Sequence, residues 1–421
     1  MIFFSIATCA IATCAIATRA IATYTRSTER QDNDLVYEMA TLEPDGTLLT
    51  TNGRAVPKFD LTASMLVNKT TVIYGPSRTG KTVITKNIMH KLRHEIEQVV
   101  LVCPSEPANQ QYRGIVDPPM IHYELGTPDP KGKKKSQSAV AADFLKTILD
   151  RQIAAKSVYN RANSLETLQS LFMRLPGSIR KVAVGHIEKL NAKRQQLVDS
   201  VRKHVSDIGS RDETVKNVNE RYRSILSLVY KKFVEPAVTA LWGCDDLTPD
   251  EIHALTYLHH NPKLLLIFDD CAADLKKVAE TNEFRALFYR GRHYDVTTIV
   301  TCQDDTDIPA NLRKNAFFSI FTAPQVCRAN FERKSNQYSK ETIQIVNDVC
   351  ADVFGFGYHK IVYIRDDPSG VNIYHLEVSI PPAFRFGSTA LHELCATVQN
   401  NGDSLDKDNS FYSRFITSAT A

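Results

Sequence analysis

Gly75-Pro76-Ser77-Arg78-Thr79-Gly80-Lys81-Thr82 decides the fold of this 421-residue chain. The stretch matches G-x-x-x-x-G-K-[ST]. It follows the apolar, β-branched run Thr71-Val72-Ile73-Tyr74 and precedes a helix-like segment reaching about His94. Two glycines allow the backbone to turn its N–H groups inward around a phosphate, and the following helix directs the positive end of its dipole at the same anion. In such a loop Lys81 reaches the β- and γ-phosphates and Thr82 ligates Mg²⁺. All eight residues, Gly75, Pro76, Ser77, Arg78, Thr79, Gly80, Lys81 and Thr82, are therefore nucleotide-contacting candidates, with ATP and Mg²⁺ as the expected cofactors.

Outward from the loop, Gln98-Val99-Val100-Leu101-Val102-Cys103 reads as a buried strand ending at Pro104-Ser105, the second step of a parallel sheet. The strand pattern resumes at Leu264-Leu265-Leu266-Ile267-Phe268, which ends in Asp269-Asp270. A helix over about 273–289 and a β-branched strand, Val296 to Thr301, follow, the latter ending at Cys302-Gln303. Beyond them come a strand at 317–321, a helix at 340–350, and a hairpin of 360–364 with 371–374 around Pro368-Ser369-Gly370. Leu42 to Leu49 reads as two short strands about Pro44-Asp45-Gly46.

Between the two halves of this pattern lies a different composition. Pro128-Asp129-Pro130 and the basic run Lys131-Gly132-Lys133-Lys134-Lys135 open a segment of helical periodicity, which closes near Thr248-Pro249-Asp250-Glu251, a capping box with proline at the first helical position. From Asp129 to Glu235 there are 22 Lys and Arg against 11 Asp and Glu; that excess of 11 leaves the rest of the chain at −7 against a whole-chain charge of +4. A segment so charged suits a polyanion such as DNA, or it is simply a solvated helical insert.

The expected fold class is therefore α/β: a P-loop NTPase core with a parallel-rich central sheet flanked by helices, plus a mostly helical basic insertion. The expected divisions are a low-complexity tail over 1–34, the first part of the core over 35–125, the insertion over 126–245, the second part of the core over 246–385, and a peripheral segment over 386–421. The tail repeats Ile-Ala-Thr-Cys-Ala from Ile6, with Arg19 and Tyr24 replacing the fourth residue in later copies. It lacks the basic start of a signal peptide and is too short and threonine-rich for a spanning helix, so no stable membrane insertion is expected. The nine cysteines include no C-x-x-C pair, which excludes zinc-finger and disulfide frameworks and points to a reducing compartment.

Hydrolysis needs more than the loop. Asp269, at the end of an apolar strand, is placed to hold Mg²⁺ beside Thr82, and Asp270 to polarise the attacking water, a position where ATPases more often carry glutamate. Gln303, at the end of the next core strand, is the candidate sensor of the γ-phosphate. Arg290, Arg292 and Arg313 flank that strand, and an arginine set against a neighbouring subunit's γ-phosphate would make hydrolysis depend on assembly; Arg292 is the first choice.

The loop, the strand ending Asp269-Asp270, Tyr289-Arg290-Gly291-Arg292-His293-Tyr294, the strand Thr297 to Gln303 and Ile308-Pro309-Ala310-Asn311-Leu312-Arg313-Lys314-Asn315 together resemble the poxvirus-type genome-packaging ATPases of large DNA viruses, members of the FtsK/HerA group. The resemblance covers about 71–110 and 264–364. It implies ATP hydrolysis coupled to threading double-stranded DNA into a preformed capsid by a homo-oligomeric ring. It also implies a capsid or portal-vertex partner and a place in the host cytoplasm or viral assembly site, and in the virion. Against it stand a small-molecule kinase, for which no lid arginine pair is found, and a helicase, for which no repeated core is found. A nucleotide-regulated assembly scaffold with little hydrolysis stays open because of aspartate at position 270.

Overall fold

The computed structural model describes residues 40–126, 136–365, 367 and 369–400. The pentapeptide repeat, the basic run at 131–135 and the end of the chain from 401 lie outside them. Three two-residue strands, β1 (Thr41–Leu42), β2 (Leu48–Leu49) and β3 (Ala55–Val56), form a small antiparallel sheet, with the Asp45 carboxylate accepting from the Thr47 N–H at 2.8 Å to fix the first turn.

The main sheet begins with β4 (Thr70–Tyr74), buried at every position, which runs through the glycine loop into α1 (Lys81–Leu92). β5 (Gln98–Val102) and β6 (Ile121–His122) follow. Four helices then interrupt the sheet: α2 (Gln137–Ala162), α3 (Leu165–Met173), α4 (Gly177–His204) and α5 (Ile208–Val234). The chain returns through α6 (Pro249–Tyr257), whose Thr248–Glu251 capping box and leading proline are those read in the sequence. β7 (Leu264–Phe268), α7 (Ala272–Val278), α8 (Asn282–Arg290), β8 (Val296–Cys302), β9 (Phe318–Phe321), α9 (Lys340–Gly355), β10 (His359–Ile364), β11 (Ile373–Glu377) and α10 (Thr389–Asn400) complete the described elements used below.

The eight-stranded sheet has the order β11-β10-β9-β4-β8-β7-β5-β6. Pairing is parallel from β9 through to β6 and antiparallel at β9/β10 and β10/β11, so the sheet is mixed but mostly parallel. Unbroken apolar and β-branched runs such as Leu264–Phe268 and Val296–Cys302 suit this position, because helices cover such strands and leave no polar face to alternate with.

The long helix read over 273–289 is two helices. Thr281 separates them: its hydroxyl accepts the Phe284 N–H and so caps α8, offering the backbone a partner that a continuous helix would not use. Phe386, and Leu391, Cys395 and Val398 of α10, lie in the main hydrophobic core. The buried Asp117 carboxylate anchors this stretch, pairing with Arg385 and with His392 Nδ1 at 2.6 Å.

α4 and α5 form an antiparallel hairpin that packs at one end into a second hydrophobic cluster with Leu168, Leu171 and Phe172 of α3 and Ala254 and Leu255 of α6. Away from that root the hairpin buries little beyond Val198 and Tyr222. Its 28-residue α4 is about 42 Å long.

Candidate nucleotide site

Parallel pairing brings the carboxyl ends of β4, β8 and β7 side by side, with Tyr74 opposite Cys302 and Phe268 opposite Val300. The glycine loop, Gln303 and the two acids consequently emerge at one edge of the sheet, and β8 stands between the loop strand and the acid strand. Two close constraints shape the loop. Gly75 has φ +157°, and a Cβ there would fall 1.8 Å from Thr322 Oγ1, so no side chain fits. Gly80 caps α1 at φ +97°, with open space around it; here the requirement is backbone freedom alone.

Lys81 Nζ donates to the carbonyls of Gly75 at 2.6 Å and Pro76 at 2.9 Å. Burial pulls its pKa below the usual lysine value, while Asp269 and Asp270 oppose the shift and favour the ammonium form. Asp269 is buried at 4% exposure and fully engaged. Its Oδ1 accepts from Thr301 Oγ1 at 2.6 Å, and its Oδ2 from the Tyr112 hydroxyl at 2.7 Å and, more weakly, from Thr82 Oγ1 at 3.4 Å.

Asp270 differs in every respect. It is exposed, its N–H donates to Thr301 Oγ1 at 3.1 Å, and its backbone is left-handed at φ +58°. Aspartate and asparagine tolerate that conformation better than other non-glycine residues, which supplies a local reason for aspartate rather than glutamate at this position. One carboxylate is thus locked in place and its neighbour stands free at the rim.

A cavity of about 550 Å³ joins these groups, bounded by the loop, Asp269 and Asp270 and, from the segment after β5, Ser105, Asn109 and Gln111. The Thr82 hydroxyl and Asp269 Oδ2 face each other within it, an oxygen pair of the kind Mg²⁺ takes, so the donor set fits the cation. Among the described residues no cluster of three or more His, Cys, Asp or Glu is arranged to hold a metal. A second cavity, of about 880 Å³, opens on the other side of Gly80 toward β10 and β11.

Gln303 lies at the expected sheet edge and is exposed. Its backbone N–H donates to Asp307 Oδ2 at 3.1 Å, and Asp307 Oδ1 in turn pairs with Lys276 of α7 at 3.1 Å, the helix that follows Asp270. Arg292 is exposed in the turn just before β8, at the opposite end of that strand from Gln303. Seven residues of strand separate the two ends by roughly 23 Å, so Arg292 does not approach the loop of its own chain. Arg313 is eliminated as a bridging arginine: it is buried and paired with Asp305 at 3.1 Å, and Arg333 holds the same carboxylate at 2.7 Å.

Sequence reasoning missed Tyr112, Thr301, Lys276 and Asp307. Tyr112 lies beyond the short helix that follows β5, Thr301 near the end of β8; they meet only around Asp269, and neither carries a motif. A threonine near the end of a strand two residues before the candidate sensor was the one available signal.

No family model matches the chain. Protein B354L of African swine fever virus, isolate Pig/Kenya/KEN-50/1950, is 40% identical over 368 residues, covering 87% of this chain and 98% of that protein. The chain belongs to the B354L family. The B354L proteins of the Malawi tick isolate match it equally, at 40% over the same length. Protein 075L of Invertebrate iridescent virus 6 is 36% identical over 63 residues, 15% of this chain and 24% of that protein. Among solved structures, VirB4 of Thermoanaerobacter pseudethanolicus is similar with 13% identity and a TM-score of 0.33, covering 85% of this chain and 99% of that one. The genome packaging NTPase B204 of Sulfolobus turreted icosahedral virus 2, in complex with AMPPCP, is similar with 12% identity and a TM-score of 0.32, covering 74% and 98%. No described helix of this B354L relative is long and apolar enough to cross a membrane.

Proposed function

We propose that this chain is an ATP-hydrolysing motor that moves double-stranded DNA into a viral capsid. The observation that carries the reading is the convergence of Lys81, Thr82, Asp269 and Asp270 on one cavity at the ends of adjacent parallel strands. Loop N–H groups and Lys81 would bind the triphosphate, Lys81 exchanging its two loop carbonyls for phosphate oxygens. Thr82 and Asp269 would hold Mg²⁺, which when bound draws charge off the phosphates. Asp270, exposed at the rim, would orient the attacking water and accept its proton, and Gln303 would register the γ-phosphate.

Arg292, remote from its own loop, would act on a neighbour's, which requires a homo-oligomeric ring. The basic insertion would meet DNA phosphates, and a capsid or portal-vertex protein would seat the ring. Membership of a viral family, and the motif order resembling packaging ATPases, support this setting in the infected cell. Steady-state ATP hydrolysis with and without duplex DNA tests it. Turnover stimulated several-fold by DNA is the expected result. Phosphate transfer to a small acceptor would refute it, and nucleotide binding without turnover would favour an assembly scaffold.

A further inference from the structure

Asp270 and Gln303 leave neighbouring strand ends, and two contacts tie together the segments that carry them. Close to the strands, the Asp270 N–H donates to Thr301 Oγ1 at 3.1 Å. Farther along the chain, Asp307 pairs with Lys276 of α7 at 3.1 Å. The first contact fixes Asp270 to the end of β8. The second joins the helix that follows Asp270 to the loop that follows Gln303.

Both oxygens of Asp307 are in use. Oδ2 accepts the N–H groups of Gln303 and Asp304, each at 3.1 Å, and so fixes the backbone from which the Gln303 side chain leaves; Oδ1 takes the Lys276 ammonium. The turn Asp305–Asp307 is closed by a reciprocal cap between Asp304 and Asp307, which accounts for Oδ2 as ordinary turn chemistry. It does not account for the lysine on Oδ1. Asp305 is held by a separate set of groups: Arg313 at 3.1 Å, Arg333 at 2.7 Å and Asn336 Nδ2 at 3.2 Å. Against that buried cluster, the tie to α7 is a single lysine whose side chain is 57% exposed, facing a carboxylate that is 6% exposed. Asp307 also lies within electrostatic reach of the phosphate loop. Burial lowers the pKa of Lys81, and Asp307 joins Asp269 and Asp270 in opposing that shift.

We infer that Lys276 and Asp307 are positioning residues for hydrolysis, holding Gln303 in register with Asp270 on the attacking water. The inference rests on the roles given to Asp270 and Gln303 in the proposed motor. Neither Lys276 nor Asp307 lines the phosphate cavity, so the pair acts on turnover and not on nucleotide affinity. Removing the lysine leaves the Asp307 carboxylate with backbone N–H donors alone and frees the sensor loop from α7, while the exposed position of Lys276 lets the fold tolerate the change.

The test is steady-state ATP hydrolysis by the full chain, with binding of AMPPCP measured alongside. Lys276→Met, which keeps the aliphatic stem, should lower kcat about tenfold and leave KM and AMPPCP affinity within about twofold of wild type, since small misplacements of reacting groups cost up to about a hundredfold in rate. Gln303→Ala should lower kcat by itself, and adding Lys276→Met to it should cause no further loss, because the lysine acts through the glutamine. An unchanged kcat in Lys276→Met, a loss that multiplies with that of Gln303→Ala, or a loss matched by weaker AMPPCP binding would overturn the inference while leaving Gln303 in its role. Normal turnover by Gln303→Ala, or no turnover by the wild-type chain, would instead overturn the reading on which the inference rests.

Discussion

Tyr112→Phe removes one oxygen atom from a fully buried ring and nothing else. That oxygen donates to Asp269 Oδ2 at 2.7 Å, and Asp269 is itself 4% exposed, so the lost hydrogen bond is one to a shielded carboxylate. Hydrogen bonds to charged groups contribute about 1.5–3 kcal/mol, and phenylalanine keeps the ring's packing, so the expected loss of unfolding free energy is about 2 kcal/mol. Thr301→Val is the companion: it removes the donor to Oδ1 and also the acceptor of the Asp270 N–H, for about 2–3 kcal/mol. Together the two changes leave the anion with Thr82, at 3.4 Å, as its remaining side-chain donor, so the double variant should lose more than the two single losses combined, by about 0.5–3 kcal/mol. Urea unfolding at neutral pH reads these differences as shifts in midpoint at constant slope. A Tyr112→Phe variant within about 0.5 kcal/mol of wild type, or strict additivity in the double variant, would refute the view that the locked carboxylate is held by these two hydroxyls.

Lys81→Ala should abolish ATP turnover, whereas Asp270→Asn should bind ATP with near-normal affinity and fail to hydrolyse it; normal turnover by the second variant removes Asp270 from the mechanism. Neutralising Lys133, Lys134 and Lys135 should weaken duplex DNA binding and reduce the slope of log affinity against log salt by up to about 3, and an unchanged slope would make the run a solvated linker. Burial lowers the pKa of His122 from 6.5 to about 4, and those of His359 and His375 also fall below the usual value. These groups are neutral in the folded chain but protonate in the unfolded one, so their contribution is complete above pH 6.5 and is lost as pH falls toward the folded-state values. For His122 that loss is at most about 2 kcal/mol at pH 5. His122→Phe should flatten the decline in urea midpoint between pH 7 and pH 5; an identical decline in the variant would exclude His122 as its source.

The elements that were legible in the sequence are those whose information is local. The loop's glycines, the apolar run ending in Asp269-Asp270 and the Thr248 capping box each fit within a dozen residues, and β7, β8 and the terminal hairpin follow from period and turn chemistry. What stayed hidden depends on sheet order. That β8 lies between β4 and β7 decides that Thr301 touches Asp269, and no feature of Val296–Cys302 announces it. Arg313 and Arg292 look alike as arginines flanking one strand, yet the first is withdrawn into an ion pair with Asp305 and the second is open to solvent. Asp270 carried the opposite lesson: its departure from glutamate was visible at once, and its physical context, a left-handed backbone, needed coordinates.

The helical hairpin of α4 and α5 is anchored at one end only, and α6, part of its root, is followed within seven residues by the strand that carries Asp269. Such an arrangement is a lever whose fulcrum lies before the start of β7, at the opposite end of that strand from Asp269. With a long arm of about 42 Å, each degree of tilt at the fulcrum moves the far end by roughly 0.7 Å. A tilt of about five degrees at the root would therefore carry the tip about 3.7 Å, roughly the axial length of one base-pair step.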